Sequence, residues 1–376
     1  SETKRPFEGE HCLLYNKWCS KCHLFYLCYI KFLCLSMFNT NLNHFLQQFD
    51  SYWIKLLMEF VSALGSVHFI VPVVLGVTFG LHFKKGIVLI NIVAWTAMLT
   101  FFAKQQIDYP RPIDVDITLQ SDDYNKPETN LKDKLPTETL STFSEEILNI
   151  TRTDAQKNYG FPSGHTSIQV ALWLGMFFVF RKRWILVLGS FIILLTVLSR
   201  LYLAHHFLGD VLGGLALGIF VLAMFVFLVQ KSRFLTASIA DFKTLSIIWL
   251  PLLAMPFVSF LPGALLGGLL GINLATFFIL LQGNTLIFST NTLHRVLTAF
   301  TILGLLFMGF YLSNKLSFNG NIFLELFTTM SISFVIIRGS VLLAKRLNFI
   351  RNKLKVHDKE SYRNWRDFFQ GKRPKQ

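Results

Sequence analysis

Three short clusters in this sequence hold residue types that could do chemistry on an anion. The first is Lys104, followed seven residues later by Arg111 between Pro110 and Pro112. Seven residues are about two helical turns, so both cations can lie on one side of the chain as it leaves an apolar run. The prolines end that helix and fix where Arg111 points. Taken alone, such a pair reads more simply as anchors that snorkel to an interface. The second cluster, Pro162-Ser163-Gly164-His165, opens the next long apolar run. Pro, Ser and Gly there suit a helix N-terminus, whose free N–H groups and dipole attract anions. Gly164 lets a phosphate approach the backbone, and His165 falls in the first turn. The plainer reading is an ordinary cap beside an interfacial histidine. The third cluster is Ser199-Arg200, then His206, then Asp210. On a helix His206 and Asp210 share a face. A carboxylate there holds one imidazole nitrogen protonated and leaves the other free as a nucleophile. Arg200 offers a planar fork for two phosphate oxygens. His205 points about 100° away from that face and has no acidic partner one turn on, so it reads as an interfacial bystander.

These clusters must be positioned by membrane helices. Of the 376 residues 52% are hydrophobic, 39 are Phe and only 15% are charged, and the mean hydropathy is +0.47. A soluble domain carries about a quarter charged residues. Residues 211–229, 263–281 and 322–337 contain almost no charge, and about 20 apolar residues cross a bilayer core. The expected fold is an all-α polytopic membrane protein of about ten spans. They are placed near 22–40, 64–82, 87–103, 166–180, 184–199, 210–230, 244–261, 263–282, 294–313 and 321–341.

Basic turns orient the spans. Lys84-Lys85, Arg181-Lys182-Arg183 and Lys231 to Arg233 all fall on one side, which the positive-inside rule makes cytoplasmic. That orientation puts all three clusters at the opposite, outer face, where ionisable residues at membrane depth are costly and usually functional. Together they offer three cations for an anion, two histidines and one orienting carboxylate. No Cys/His/Asp ligand set stands nearby, so no metal or other cofactor is expected and the cations themselves must neutralise phosphoryl oxygens.

The chain divides into four parts. Residues 1–63 read as an N-terminal anchor helix and an amphipathic interfacial helix. Residues 64–230 form a core with an acidic insertion at 113–160, which holds ten Asp/Glu against five Lys/Arg. Solvated chain is the commonest reading of such a composition, with a lid or partner surface as alternatives. A span-rich extension covers 231–343, and 344–376 is a basic tail. The formal net charge of +14 does not imply nucleic acid, because no folded basic domain with interleaved aromatics is present. Anionic lipid is a possible partner of the tail.

All five cysteines, Cys12, Cys19, Cys22, Cys28 and Cys34, precede residue 35. Cys19-Ser-Lys-Cys22-His23 has the form of a haem-attachment motif, but on the cytoplasmic side reduced thiols are the preferred reading. Asn149-Ile-Thr151 is a glycosylation triplet, which would matter only in a eukaryote. Arg338, near the end of the last span, reads as a snorkelling residue.

The three clusters resemble the tripartite signature of the type 2 phosphatidic acid phosphatase superfamily: K-x6-R-P, P-S-G-H and S-R-x5-H-x3-D. The resemblance covers roughly residues 22–230 and implies a six-helix phosphatase core, here followed by about four extra C-terminal transmembrane helices. It also implies roles. His206 would attack phosphorus to form a phosphohistidine, His165 would protonate the departing oxygen, and Asp210 would hold the His206 ring. Lys104, Arg111, Ser163, Gly164 and Arg200 would bind the phosphate, without a metal. The function it implies is hydrolysis of a membrane lipid phosphate or diphosphate, such as phosphatidic acid, phosphatidylglycerol phosphate or undecaprenyl diphosphate. A phosphotransferase using the same intermediate is the alternative, and a non-catalytic lipid transport or binding protein is a third reading. The expected location is a bacterial inner membrane with the site facing the extracytoplasmic side.

Overall fold

The computed structural model describes residues 36–120, 130–138, 141–153, 159–235, 245–281, 286–288, 291–315, 321–346 and 350–352. In chain order the helices are α1 (Asn41–Gln47), α2 (Tyr52–Leu64), α3 (Val67–Gly76), α4 (Phe83–Ile107), α5 (Pro112–Val115), α6 (Glu145–Thr153) and α7 (Gly164–Phe180). They continue with α8 (Arg183–Tyr202), α9 (Leu208–Ser232), α10 (Ser246–Trp249), α11 (Gly263–Leu281), α12 (Thr292–Lys315) and α13 (Ile322–Arg346). A short antiparallel pair, β1 (Leu286–Phe288) with β2 (Ile350–Asn352), is the only sheet among the described residues.

The protein is a multi-pass membrane protein. Six described helices are long and apolar enough to cross a bilayer, and a seventh span forms if α2 and α3 are taken together across their 50° bend. Two shorter apolar helical stretches, Gly164–Phe180 and Ser246–Phe260, fall on further expected spans. Nine of the ten expected spans therefore coincide with helices. The first, near 22–40, lies almost wholly outside the described residues, as do the cysteines and the basic tail. The stretch at 246–260 is not one regular helix: α10 runs into a 3-10 segment that carries Pro256 and breaks its geometry at Phe257, as expected where proline removes a backbone donor. Pro72 sits within α3, which loosens into a π-helical turn at Val77–Leu81.

Two features depart from expectation. The stretch 41–63 is not a single interfacial helix. α2 does expose Tyr52, Trp53 and Phe60 on one side, but α1 is folded into the protein and buries Asn43 completely. The acidic insertion is not merely solvated chain. Leu131, Leu135, Phe143, Ile147 and Leu148 pack with Phe38, Val115 and Phe207 into a second, small core, bordered by Tyr109 and Phe161. The Phe38 and Phe143 ring centroids stand 5.2 Å apart, and those of Tyr109 and Phe143 also 5.2 Å. The glycosylation triplet falls inside α6, where Thr151 donates its hydroxyl to Ile147 O.

The larger core lies between the membrane helices. α7 is its hub, packed between α4, α8 and α9. The C-terminal helices join through α11, which meets α4 and lies along α13, and through α12, which packs against α3 and the Val77–Leu81 turn. Asn91 of α4 and Asn273 of α11 exchange amide hydrogen bonds of 3.0 and 2.9 Å in this apolar setting. Asn273 also donates to Ile248 O at 3.2 Å.

Candidate active site

The C-terminal ends of α4 and α8 and the N-terminal ends of α7 and α9 bring the three clusters together. α4 stops at Ile107 because Asp108 turns left-handed at φ 58°. Arg111 then follows in extended conformation at the start of α5, with its backbone N–H donated to Asp114 Oδ2 at 2.8 Å. Lys104 and Arg111 therefore approach each other through a turn rather than along one helical face. Lys104 Nζ donates to the carbonyls of Tyr159 and Gly160, which fixes the ammonium beside the strand of chain leading to Pro162. Gly160 is needed there, since a Cβ would come within 2.6 Å of Pro110 O and 2.9 Å of Asp210 Oδ2.

Ser163 occupies the position before the first turn of α7, but its side chain makes no cap. Its Oγ is instead engaged by the Thr166 hydroxyl at 3.0 Å, and its backbone N–H donates to Asp210 O at 2.8 Å. The N–H groups of that first turn thus lack a side-chain cap, which is what an anion-binding helix N-terminus requires. His165 follows, held against the bend between α2 and α3: its Cβ and ring would meet a Cβ on Gly65 at 2.7 to 3.2 Å. Nearby, Gln169 donates to Leu64 O at 2.7 Å.

Arg200 and Ser199 sit in the last turns of α8 and both reach α2. Arg200 Nη1 donates to Ser62 Oγ at 2.6 Å, and Ser199 Oγ donates to Met58 O at 2.7 Å. His206 does not lie on a helix with Asp210. It precedes α9, in a tight turn where Ala204 has φ 54°, and Asp210 reaches back over the helix start. Asp210 Oδ2 accepts from Phe207 N at 2.9 Å and faces His206 Nδ1 at 3.2 Å. That contact leaves His206 Nε2 as the nitrogen free to react. Asp210 Oδ1 is buried and makes no hydrogen bond, so the carboxylate keeps acceptor capacity toward the site. Burial first, then the charges of Lys104, Arg200 and Arg111, hold the His206 pKa well below the usual histidine value. The ring is neutral at pH 7 as a consequence.

All eight sequence-picked residues fall in this region. The charges of Arg200, Arg111 and Lys104 bear on His165, and those of Arg111, Asp210 and Arg200 bear on Lys104. His205 departs from expectation. It is only 6% exposed, and burial together with Arg200, Arg111 and His165 lowers its pKa as well. It belongs to the cationic centre and is no interfacial bystander. Asn43, Ser62 and Gly65 also border the centre and carry no signal in the motifs. Among the described residues no group of three or more His, Cys, Asp or Glu is arranged to hold a metal ion.

The chain resembles known proteins in three comparisons. Over 82 residues the chain is 35% identical to the lipid A 4'-phosphatase of Porphyromonas gingivalis, a match to 21% of this chain and 35% of that protein. The chain thus spans about a third of the curated relative it matches. The crystal structure of a transmembrane PAP2 type phosphatidylglycerolphosphate phosphatase from Bacillus subtilis matches 56% of this chain and 95% of that one, at 19% identity and a TM-score of 0.37. The family model for the PAP2 superfamily matches residues 85–234, the stretch that contains every position of the three clusters.

Proposed function

We propose that this protein is a membrane phosphatase that hydrolyses a lipid phosphate or diphosphate through a phosphohistidine on His206. One observation carries the reading: the His206 ring, backed by Asp210 at 3.2 Å, stands within the field of Lys104, Arg111 and Arg200. A neutral imidazole oriented by a carboxylate is a nucleophile, and three cations neutralise the equatorial oxygens of the group it attacks.

In the proposed reaction His206 Nε2 bonds to phosphorus as the bond from phosphorus to the lipid oxygen breaks. His165 gives its proton to that departing oxygen. Water then attacks phosphorus, the nitrogen–phosphorus bond breaks, the water's proton passes to His165, and inorganic phosphate leaves. Asp210 holds the His206 tautomer throughout. Arg111, Arg200, Lys104, Ser163 and the uncapped backbone at Gly164 bind the phosphoryl oxygens. The basic turns that the positive-inside rule assigns to the cytoplasm support an extracytoplasmic site, and the location we favour is a bacterial inner membrane. The relative from Porphyromonas adds a lipid A phosphate to the candidate substrates named from the sequence.

The test is phosphate release by the purified full chain in detergent, with chelator, from phosphatidic acid, phosphatidylglycerol phosphate, undecaprenyl diphosphate and a lipid A phosphate. We expect release from at least one of them, and His206→Ala to lower kcat by about 10³-fold or more. Retention of parental activity by that variant would sink the mechanism. Release that requires an added alcohol acceptor would make the protein a phosphotransferase. His205→Ala separates the neighbouring rings: its place among the cations predicts a loss of about tenfold, far short of the His206 variant.

A further inference from the structure

The family match begins at residue 85, yet the turn carrying His206 is held largely by residues that precede it. Asn43 is 0% exposed. Its amide donates one hydrogen bond to Leu201 O at 2.8 Å and another to His206 O at 3.2 Å. Those carbonyls lie at the end of α8 and in the turn after it, and Leu201 O also accepts from Ala204 N at 3.1 Å, so Asn43 adds a bond to the turn's own. One turn along α1, Gln47 donates to Tyr202 O at 2.9 Å. Upstream, Met37 O accepts from Gly209 N at 2.8 Å, and the Phe38 ring lies so close to Gly209 that a Cβ there would meet it at 2.6 Å. Four hydrogen bonds and one ring contact from one segment thus fall on residues 201–209, the stretch that contains His206 and ends beside Asp210.

The same segment also grips the insertion. Thr40 and His44 are four apart and lie about a quarter-turn round from Asn43 and Gln47. Thr40 Oγ1 donates to Asp116 Oδ2 at 2.7 Å, and His44 Nε2 stands 2.8 Å from the same oxygen. Thr118 N donates to Asp116 Oδ1 at 3.0 Å, and Lys132 Nζ lies 3.6 Å from Oδ2. Gln47 and Gln120 exchange two further bonds, of 2.9 and 3.1 Å. A buried carboxylate is costly unless partnered, so Asp116 fixes α1 and the start of the insertion to each other.

We infer that residues 37–47 are a clasp that positions the His206 turn and couples it to the acidic insertion, with Asn43 as the central positioning residue. The inference rests on the reading of His206 given above. Asn43 touches no reacting atom; it sets where the ring stands relative to Asp210 and the three cations. A displacement of an ångström there is enough to lose most of the rate without changing how the lipid binds.

The experiment uses the full chain in detergent with Asn43→Ala, Gln47→Ala and Asp116→Ala. Steady-state kinetics on the active lipid are combined with the rate at which diethyl pyrocarbonate labels His206, read by mass spectrometry. Asn43→Ala is expected to lower kcat by about 30-fold with KM within about threefold, and to label His206 at least about fivefold faster as the turn opens. Gln47→Ala should move both readings in the same direction by less. Asp116→Ala, which makes no contact with the turn, should still speed labelling. If Asn43→Ala shows no cooperative unfolding, Gln47→Ala decides by the same two readings. Parental kcat and a parental labelling rate in both amide variants would overturn the clasp. If the parent releases phosphate from no lipid, the phosphatase reading fails, and the clasp is judged on labelling alone: faster labelling in the variants upholds it, an unchanged rate overturns it.

Discussion

The helices of residues 85–234 and those of the C-terminal extension are alike in composition and in how they approach one another, and unlike in what that approach holds. In both, glycine lets one backbone lie directly against the next helix. In residues 85–234, a Cβ on Gly214 of α9 would come within 2.5 Å of Ser163 O. In the extension, a Cβ on Gly267 of α11 would come within 2.2 Å of Thr329 Oγ1 and 2.3 Å of Leu326 O on α13. The polar groups differ. Around Gly214 the packing sets Ser163, whose N–H is bonded to Asp210 O. Around Gly267 it sets Thr329, whose hydroxyl donates to Leu326 O at 3.1 Å within α13. One close contact therefore bears on chemistry and the other on cohesion.

Breaking each contact in turn tests that distinction and has the largest expected effect. Gly214→Val pushes on Ser163 and should lower kcat by about 100-fold, with a modest loss of thermal stability. Gly267→Val forces α11 from α13 and should cost about 2–3 kcal/mol of stability, while the folded fraction retains kcat within about twofold of the parent. Thermal unfolding in detergent and phosphate release on the same preparations supply both readings. Loss of kcat per folded molecule in the Gly267 variant would show that the extension takes part in the chemistry.

The same contrast explains what the sequence discloses. The three clusters are legible because Lys, Arg, His and Asp are rare at membrane depth, and basic turns assign them one face without any knowledge of packing. The extension is legible as apolar runs, and Pro251 and Pro256 flag the irregular stretch at 246–260. His205 is misread because the sequence argument places 205 and 206 on a continuous helix. The left-handed Ala204 instead makes a turn that carries both rings inward. The insertion is misread because ten carboxylates dominate its average composition. Its five packing residues are few, although Leu131 with Leu135 and Phe143 with Ile147 do recur at helical spacing. Asn43 is invisible for another reason: its partners are backbone carbonyls 158 and 163 residues away, and no side-chain type announces such a contact.

A smaller effect sharpens how the extension is attached. The reciprocal bonds between Asn91 and Asn273 are replaced by nothing when either residue becomes Leu. Each single variant should lose about 1–2 kcal/mol because one amide is left unsatisfied in an apolar setting. The double variant should lose less than the sum, with a coupling of about 0.5–1.7 kcal/mol. Strictly additive losses would mean that the pair is not a unit. Phosphate release should stay within about twofold of the parent in all three, since neither residue lies near His165 or His206.

The smallest effect concerns the charge at Asp116, and it separates the clasp from the site by pH. Burial works to raise the Asp116 pKa, but hydrogen bonds from Thr118, His44 and Thr40 outweigh it and bring it from 3.8 down to about 2. The folded state therefore favours the carboxylate, and the stabilisation is complete above pH 3.8 and lost as pH falls toward about 2. His206 is held neutral in the fold, with its pKa below the ordinary 6.5. Its contribution starts to fall away as soon as the pH drops below that value. Both groups lower stability in acid, but over different windows, so a single variant can isolate one of them. The unfolding midpoints of the parent and of Asp116→Asn should differ by a constant amount between pH 5 and 8 and converge as the pH approaches about 2. A difference that persists undiminished at that pH would mean that the clasp uses the shape of Asp116 and not its charge.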